Sequence, residues 1–486
     1  MTRHPLRAVF EQLDYQPAPG FREALRAQLL GDLATTDAAS SDPQLGVGDG
    51  VDEAQEITVL NKVDRSQTAT PRARALIGVA AAVIIAAGVT LVIINRRSSP
   101  DDHKPITTNE PMPSSSLVVG TDLPLQGELS KDTNLAIALL LEQQGGKAGK
   151  FGITIKEYDS STAALCYANG GDHVADNAEV AVVGTYLSDC AKIEVPVLNA
   201  DPAGPMLMIS HSNTSVGLTK ADGPGEPDKY YPTGIRNYGR IMATEDREGK
   251  AEAEFAAKEL GVTNCVVLDD AEPYGLGVAQ GFEQAAKAVG ITIVATSQWD
   301  GAQPNYTTLF EGFKSLNPDC FFLSGTGDVN GEQLIRDKVA VFGPNSGAVK
   351  LLAPDGFIGY PSIQQLAESE GMYLSYVGLP LSELVKAGGA SAAFVGAFKA
   401  KFGHDPEVAA IYGAAAMQFI LKAIEGSDGT RKDVVREAFS GITVPASESL
   451  IGRELSIDES GDITSGDVSI QILTGGAETF VKAWPV

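Results

Sequence analysis

Residues 248–325 read EGKAEAEFAAKELGVTNCVVLDDAEPYGLGVAQGFEQAAKAVGITIVATSQWDGAQPNYTTLFEGFKSLNPDCFFLSG. Three segments of helical character, EGKAEAEFAAKELG, GVAQGFEQAAKAVG and YTTLFEGFKSL, alternate with three short apolar runs, CVVLDD, ITIVATSQW and CFFLSG. Short runs that are apolar throughout are what strands become when both faces of a parallel sheet are covered by helices. The alternation therefore predicts an α/β architecture with helices on both sides of a parallel sheet.

The same texture extends in both directions. Upstream, LVVGTDL, FGITIKEYD, EVAVVG and PMLMIS read as strands, and NLAIALLLEQQ reads as a helix closed by Gly145 and Gly146. Downstream come LIRDKVAVF, VKLLAPDG and SIQQLAES. Two such series in one chain predict two α/β lobes, with ligand sites in the loops that follow the strands.

Those loops carry a particular chemistry. Ser188 follows EVAVVG in TYLSDC, and Ser212, Asn213 and Thr214 follow PMLMI in SHSNTS. Tyr274 follows CVVLDD on a glycine-containing turn, Thr326 follows CFFLSG, and Asp355 follows VKLLAP. Hydroxyls and loop amides suit a carboxylate. A phenol and a carboxylate suit an ammonium, so a cleft with these two walls would take a zwitterion. No G-x-S-x-G elbow, P-loop, H-E-x-x-H or complete dinucleotide fingerprint occurs, which argues against an enzyme.

At 486 residues and 43% apolar, the chain can build more than one core. Its formal charge of −25 argues against a nucleic-acid binder, which needs a basic stripe against phosphates. The four cysteines, Cys166, Cys190, Cys265 and Cys320, point to pairing in an oxidising compartment. They form no close C-x-x-C pair and histidines number only five, so no metal or other cofactor is expected.

The run ALIGVAAAVIIAAGVTLVII at residues 75–94 has no charge or proline. At about 1.5 Å per residue it would span roughly 30 Å, the thickness of the bilayer's hydrocarbon core. Arg72 and Arg74 precede it and Arg96 and Arg97 follow, so it reads as a single-pass, uncleaved signal-anchor. Flanking charge barely orients it. The cysteines, all on its C-terminal side, put the N-terminus in the cytoplasm and the bulk outside the cell membrane. Before it lie a short helical segment over 1–38 and an acidic, polar linker over 39–74. Apolar residues recur at helical spacing in the first part, at Leu6, Val9, Phe10 and Leu13 and at Phe21, Leu25, Leu29 and Leu33. A Pro/Ser-rich spacer over 95–116 follows the anchor.

From about Leu117 to the C-terminus the sequence resembles the leucine/isoleucine/valine-binding proteins of ABC importers, which have the type I periplasmic-binding, or Venus-flytrap, fold. VVGTYLS, LMISHSNTSVGLT, LDDAEPYGLGVAQGF, LLAPDG and SIDESGDITSGD carry the likeness by their order and spacing. The resemblance implies that Ser188, Ser212 and Thr214 hold a ligand carboxylate, and that Tyr274 and Asp355 hold its ammonium. Asn213 and Thr326 complete the expected set. It also implies a Cys166–Cys190 bridge, and Cys265 and Cys320, at the starts of strands expected to be neighbours, form a second candidate pair. The first loop, DLPLQGELSKD, lacks the aromatic that branched-chain binders place against the side chain, and Thr326 stands where a tyrosine is common. These departures leave the side-chain preference open.

The expected domain spans 117–486, with lobe 1 over about 117–237 and 378–450 and lobe 2 over about 238–377 and 451–486. The expected function is capture of an amino acid or similar small polar molecule for an ABC permease. The alternative is a transmembrane sensor that reports occupancy to a cytoplasmic regulatory protein docked on residues 1–38.

Overall fold

A computed structural model describes residues 116–125 and 130–485. The expected helical segment, linker and membrane anchor lie outside the described residues, as does the expected spacer except for Ser116, which already belongs to a strand.

The first sheet is built from β1 (Ser116–Leu123), β2 (Lys147–Ala148), β3 (Phe151–Asp159), β4 (Glu179–Gly184), β5 (Leu207–Ser210) and β6 (Tyr238–Arg240). Its spatial order is β2-β3-β1-β4-β5-β6, parallel except for the β2–β3 pair. Helix α1 (Thr133–Gln143) follows β1, α2 (Ala163–Ala175) follows β3 and α3 (Ser188–Asn199) follows β4. All six residues of β4, EVAVVG, are buried, as a central strand covered on both faces requires. Thr162 starts α2 by accepting a hydrogen bond from the Leu165 amide.

The chain then leaves for a second sheet. Helix α4 (Glu245–Lys258) leads to β7 (Asn264–Asp269), α5 (Pro273–Val289), β8 (Thr292–Gln298), α6 (Thr307–Phe313), β9 (Cys320–Ser324), α7 (Gly331–Phe342), β10 (Lys350–Ala353) and β11 (Tyr373–Tyr376). Helix α5 has Pro273 in its first turn, where no amide hydrogen is missed, and ends at Gly290 in the left-handed region at φ 88°. Four helices, α8 (Leu381–Ala387), α9 (Gly389–Phe402), α10 (Val408–Gly426) and α11 (Arg431–Ala438), return the chain to the first sheet. Helix α10 packs on α1, β4 and β5. By length and composition it is the one helix among the described residues able to cross a membrane, but 72% of it is buried inside the fold. It is the core helix of the first lobe.

Strands β12 (Asp467–Thr474) and β13 (Ala477–Pro485) close the second sheet in the order β13-β12-β11-β10-β9-β7-β8. Both pair antiparallel at one edge, and the rest is parallel. The chain thus passes between the sheets three times, near 241–244, 377–380 and 451–466. In each sheet, the strand order reverses beside one crevice, between β1 and β4 in the first and between β7 and β9 in the second. Crossover connections run away from such a point in opposite directions, leaving a gap at the carboxyl ends of the strands.

Cys166 on α2 and Cys190 on α3 are joined by a disulfide. The second pairing expected from the sequence is not made: Cys265 and Cys320 are buried free thiols. They are direct partners in the parallel ladder between β7 and β9. Neighbouring strands lie about 4.8 Å apart, whereas a disulfide draws its Cβ atoms to about 3.8 Å, so the ladder geometry works against a bridge.

Candidate functional site

The loops at the two switch points face one another across a cavity of about 240 Å³. The volume suits a molecule of amino-acid size better than a drug-sized one. Six residues singled out in the sequence, Ser188, Ser212, Thr214, Tyr274, Thr326 and Asp355, line it.

The first wall is the amino end of α3 with the loop after β5. No side chain caps α3, and Leu187 and Ser188 at its start line the cavity. The first amides of a helix lack internal partners and carry its positive dipole end, so an uncapped start facing a cavity is a ready anion site. The Ser188 hydroxyl accepts from the Ser215 amide at 3.3 Å. The Ser212 hydroxyl donates to the Tyr186 carbonyl at 2.5 Å.

Asn213 has a different place. It is fully buried, and its amide nitrogen donates to the carbonyls of Thr185 and Tyr186, both at 2.9 Å. Its oxygen accepts from the Tyr238 hydroxyl at 3.1 Å. Those bonds tie the loop after β4 to the loop after β5, so Asn213 holds the wall together from behind. His211 in the same loop is also fully buried, its ring edge-on to Tyr186. Burial pushes its imidazole down to about 4, so it is neutral.

Arg240, fully buried at the end of β6, organises the loop further. Its guanidinium donates to the carbonyls of Asn213 and Ser215 at 3.3 and 2.6 Å and pairs with Asp462 at 2.8 Å. Lys220 reaches the other Asp462 oxygen at 2.7 Å. Burial alone would push the Asp462 carboxyl up, but the two cations hold it well below the usual carboxylate range.

The second wall belongs to the other lobe. The Tyr274 hydroxyl, in the first turn of α5, donates to the Asp355 carboxylate and accepts from the Gly356 amide at 3.1 Å. Only glycine fits at 356, since a Cβ there would lie 2.3 Å from the Gly325 carbonyl oxygen and 2.8 Å from the Tyr274 ring. The Asp355 amide donates to Glu248 on α4 at 2.9 Å. Asp270 fixes Thr326 by accepting its amide at 3.0 Å.

Several lining residues carried no signal in the sequence. Glu245, the first residue of α4, faces Thr214 at 3.4 Å and reaches the cavity only because α4 crosses from the other lobe. Lys192 arrives one helical turn after Ser188, paired with Asp189 at 3.3 Å. Tyr186 and Tyr360 supply the aromatic surface that the first loop and Thr326 do not, and Leu187, Pro273 and Ile358 add aliphatic surface. Burial pushes the Asp355 carboxyl up to about 6 and that of Glu245 to about 7.

Two lobes joined by three strands of chain, with polar loops at facing switch points and a small cavity between them, define the class: a solute-binding protein that holds its ligand between lobes. Residues 137–470 match the periplasmic binding protein family model, and the chain belongs to that family, which comprises solute-binding proteins and not enzymes. The domain's location is accordingly extracytoplasmic, in keeping with its disulfide. Among curated proteins it is similar to the leucine-, isoleucine-, valine-, threonine- and alanine-binding protein of Pseudomonas aeruginosa, 21% identical over 74% of this chain and 90% of that protein. Among solved structures it is similar to an ABC transporter substrate-binding protein from Desulfitobacterium hafniense in complex with Leu. That match has a TM-score of 0.60 and 21% identity, covering 76% of this chain and all of the other. It is also similar to an ABC transporter solute-binding protein from Rhodopseudomonas palustris in complex with p-hydroxybenzoic acid, with a TM-score of 0.62 and 16% identity, covering 76% and 97%.

Proposed function

We propose that this protein captures a small amino acid between its two lobes and delivers it to an ABC-type importer. The observation that carries this reading is the opposition of two walls across one cavity. On one side stand the uncapped start of α3, Ser188, Ser212 and Thr214; on the other stand Tyr274 and Asp355. A carboxylate takes the place of the missing helix cap, and an ammonium takes the Asp355 carboxylate. Leucine and p-hydroxybenzoic acid, bound by the two solved relatives, share only a carboxylate, which speaks for the α3 end as the common feature. Asp355 on the opposite side favours a ligand that also bears a positive charge.

A ligand bound to both walls stabilises the closed arrangement over the open one, with the three crossings as hinges. Calorimetric titration of the purified protein with leucine, alanine, threonine and p-hydroxybenzoate tests the reading. Binding of an amino acid with no binding of the benzoate supports it. Binding of the benzoate alone overturns it.

Residues 75–94 anchor the protein in the membrane as a single-pass helix with the N-terminus in the cytoplasm, on the strength of their length, apolarity and flanking arginines. The two amphipathic stretches in residues 1–38 favour a second role, in which ligand occupancy is reported to a cytoplasmic regulatory protein. A pull-down with residues 1–74 as bait tests it, and the absence of any specific partner would remove this role.

A further inference from the structure

Below the first wall of the cavity lies a polar cluster with no exposure to solvent. Asp122 is the last residue but one of β1, His173 lies in the last turn of α2, Glu179 begins β4 and Glu194 sits in α3, all at 0% exposure. Nε2 of His173 is 3.1 Å from Asp122 Oδ2 and 4.0 Å from Glu194 Oε2, while its Nδ1 is 2.5 Å from Glu179 Oε1. The other Glu179 oxygen accepts from the Tyr158 hydroxyl at 2.5 Å. Asn169 donates to Asp122 at 3.2 Å. No donor group reaches either carboxylate oxygen of Glu194, whose polar neighbours are His173 and the Asp122 carboxylate.

Charge and geometry both call for something more at this point. Three buried carboxylates surround one imidazole, which can carry a single positive charge. The nearby Arg431 bonds the Glu179 carbonyl and pairs with Asp201, so its charge is already matched. A buried carboxylate that no donor reaches, as at Glu194, is among the most costly arrangements in a protein interior. One donor atom each from Asp122, His173 and Glu194 come within 4.8 Å of one another. Donors around a tetrahedral zinc, at bonds of about 2.0–2.2 Å, stand roughly 3.3–3.6 Å apart, between the two separations measured from Nε2. His173 also has the outer partner that a metal-bound imidazole typically has: its far nitrogen meets a carboxylate that is itself held by a phenol. Gly120 makes room for that carboxylate, since a Cβ there would lie 2.2 Å from Glu179 Oε1.

We propose that Asp122, His173 and Glu194 bind a structural divalent cation, zinc by the nitrogen–oxygen donor set, with the second Glu194 oxygen available as the fourth donor and Glu179 and Tyr158 orienting the imidazole. The absence of a C-x-x-C pair and the few histidines speak against a metal, but these ligands share no local motif; they come from one strand and two helices. The Cys166–Cys190 bridge joins those helices on the same seam, two turns before His173 and one turn before Glu194. Asp122 pairs with Gly184, from which the loop to Ser188 departs, so the cation braces the base of the ligand wall.

Metal analysis of the full-length protein by plasma mass spectrometry, followed by chelation and zinc titration with thermal unfolding as readout, tests the site. The expected result is a single equivalent of metal and a melting temperature that rises as zinc is restored. Glu194→Gln should abolish both effects, and Glu179→Gln should weaken zinc affinity by about 10–100-fold. Should Glu194→Gln fail to fold, cobalt added to the chelated wild type supplies the test, since bound cobalt gives a visible absorption band that zinc displaces. Wild-type protein free of metal, with no zinc-dependent melting and no cobalt band, would overturn the proposal and leave a proton shared between Asp122 and Glu194 as the explanation.

Discussion

The Tyr274 phenol donates to the Asp355 carboxylate, joining the turn after β7 to the loop after β10 on the cavity's second wall. The contact aims the carboxylate and leaves it one strong neutral donor. A ligand ammonium must therefore add to that bond rather than meet a bare anion.

Tyr274→Phe removes the donor while keeping the ring. Hydrogen bonds to charged groups contribute about 1.5–3 kcal/mol, so amino-acid affinity should fall roughly 10–100-fold, with little change in melting temperature. Asp355→Ala should weaken binding further. Calorimetry that found the affinity of Tyr274→Phe equal to wild type would remove the pair from the binding site.

Ligand binding and folding should respond to pH in opposite directions. Burial raises Asp355 to about 6 and Glu245 to about 7. In the ligand-free fold these groups retain protons that the unfolded chain has released, so their contribution to stability is greatest below the ordinary carboxylate range and is lost as pH rises through about 6 to 7. Ammonium binding needs ionised Asp355, so affinity should drop as pH falls below about 6. Calorimetry at pH 5 and pH 7.5 checks this, and Asp355→Asn should show weak binding at both.

Asp462→Ala leaves Arg240 buried without its counter-charge beneath the loop that carries Ser212 and Thr214. Breaking a buried pair in this way costs about 3–5 kcal/mol, readable as a shift in urea unfolding. The wild-type pair should also weaken in acid. The Asp462 carboxyl lies below its unfolded value, so its contribution is present above the ordinary carboxylate range and is lost as pH falls through the folded value. An Asp462→Ala protein as stable as wild type would show that the pair contributes nothing net.

The cysteines make two separable predictions. Reducing the Cys166–Cys190 bridge, which spans 24 residues, should lower stability by about 3 kcal/mol through loop entropy restored to the unfolded chain. Cys265 and Cys320 are buried at 0% exposure, and burial pushes the Cys265 thiol well up. A thiol reagent without reductant should find neither in native protein and both after denaturation. Failure to find them after denaturation would mean that the two are bridged.

Much of the architecture was readable because it depends on local periodicity. Buried runs such as CVVLDD and EVAVVG announce parallel strands, and Pro273 and Gly290 punctuate a helix wherever it packs. The loops after strands were equally readable, since the carboxyl ends of parallel strands are where such folds bind. That logic reached Ser188, Ser212, Thr214, Tyr274, Thr326 and Asp355. It misplaced Asn213, which shares a loop with Ser212 and Thr214 but turns inward to bond Thr185 and Tyr186. Adjacent loop residues face different ways, and only packing decides which.

By itself, then, the sequence determined the alternation of elements, the two lobes and the chemistry of the loops, because each depends on residues close together along the chain. Tertiary structure alone decided what depends on distant segments meeting. It brought Glu245 and Tyr360 to the cavity, seated Arg240 on Asp462, set Cys265 against Cys320 across a ladder, and gathered Asp122, His173, Glu179 and Glu194 in one dry spot. No spacing rule encodes such meetings; they follow from which faces the helices and sheets bury against each other.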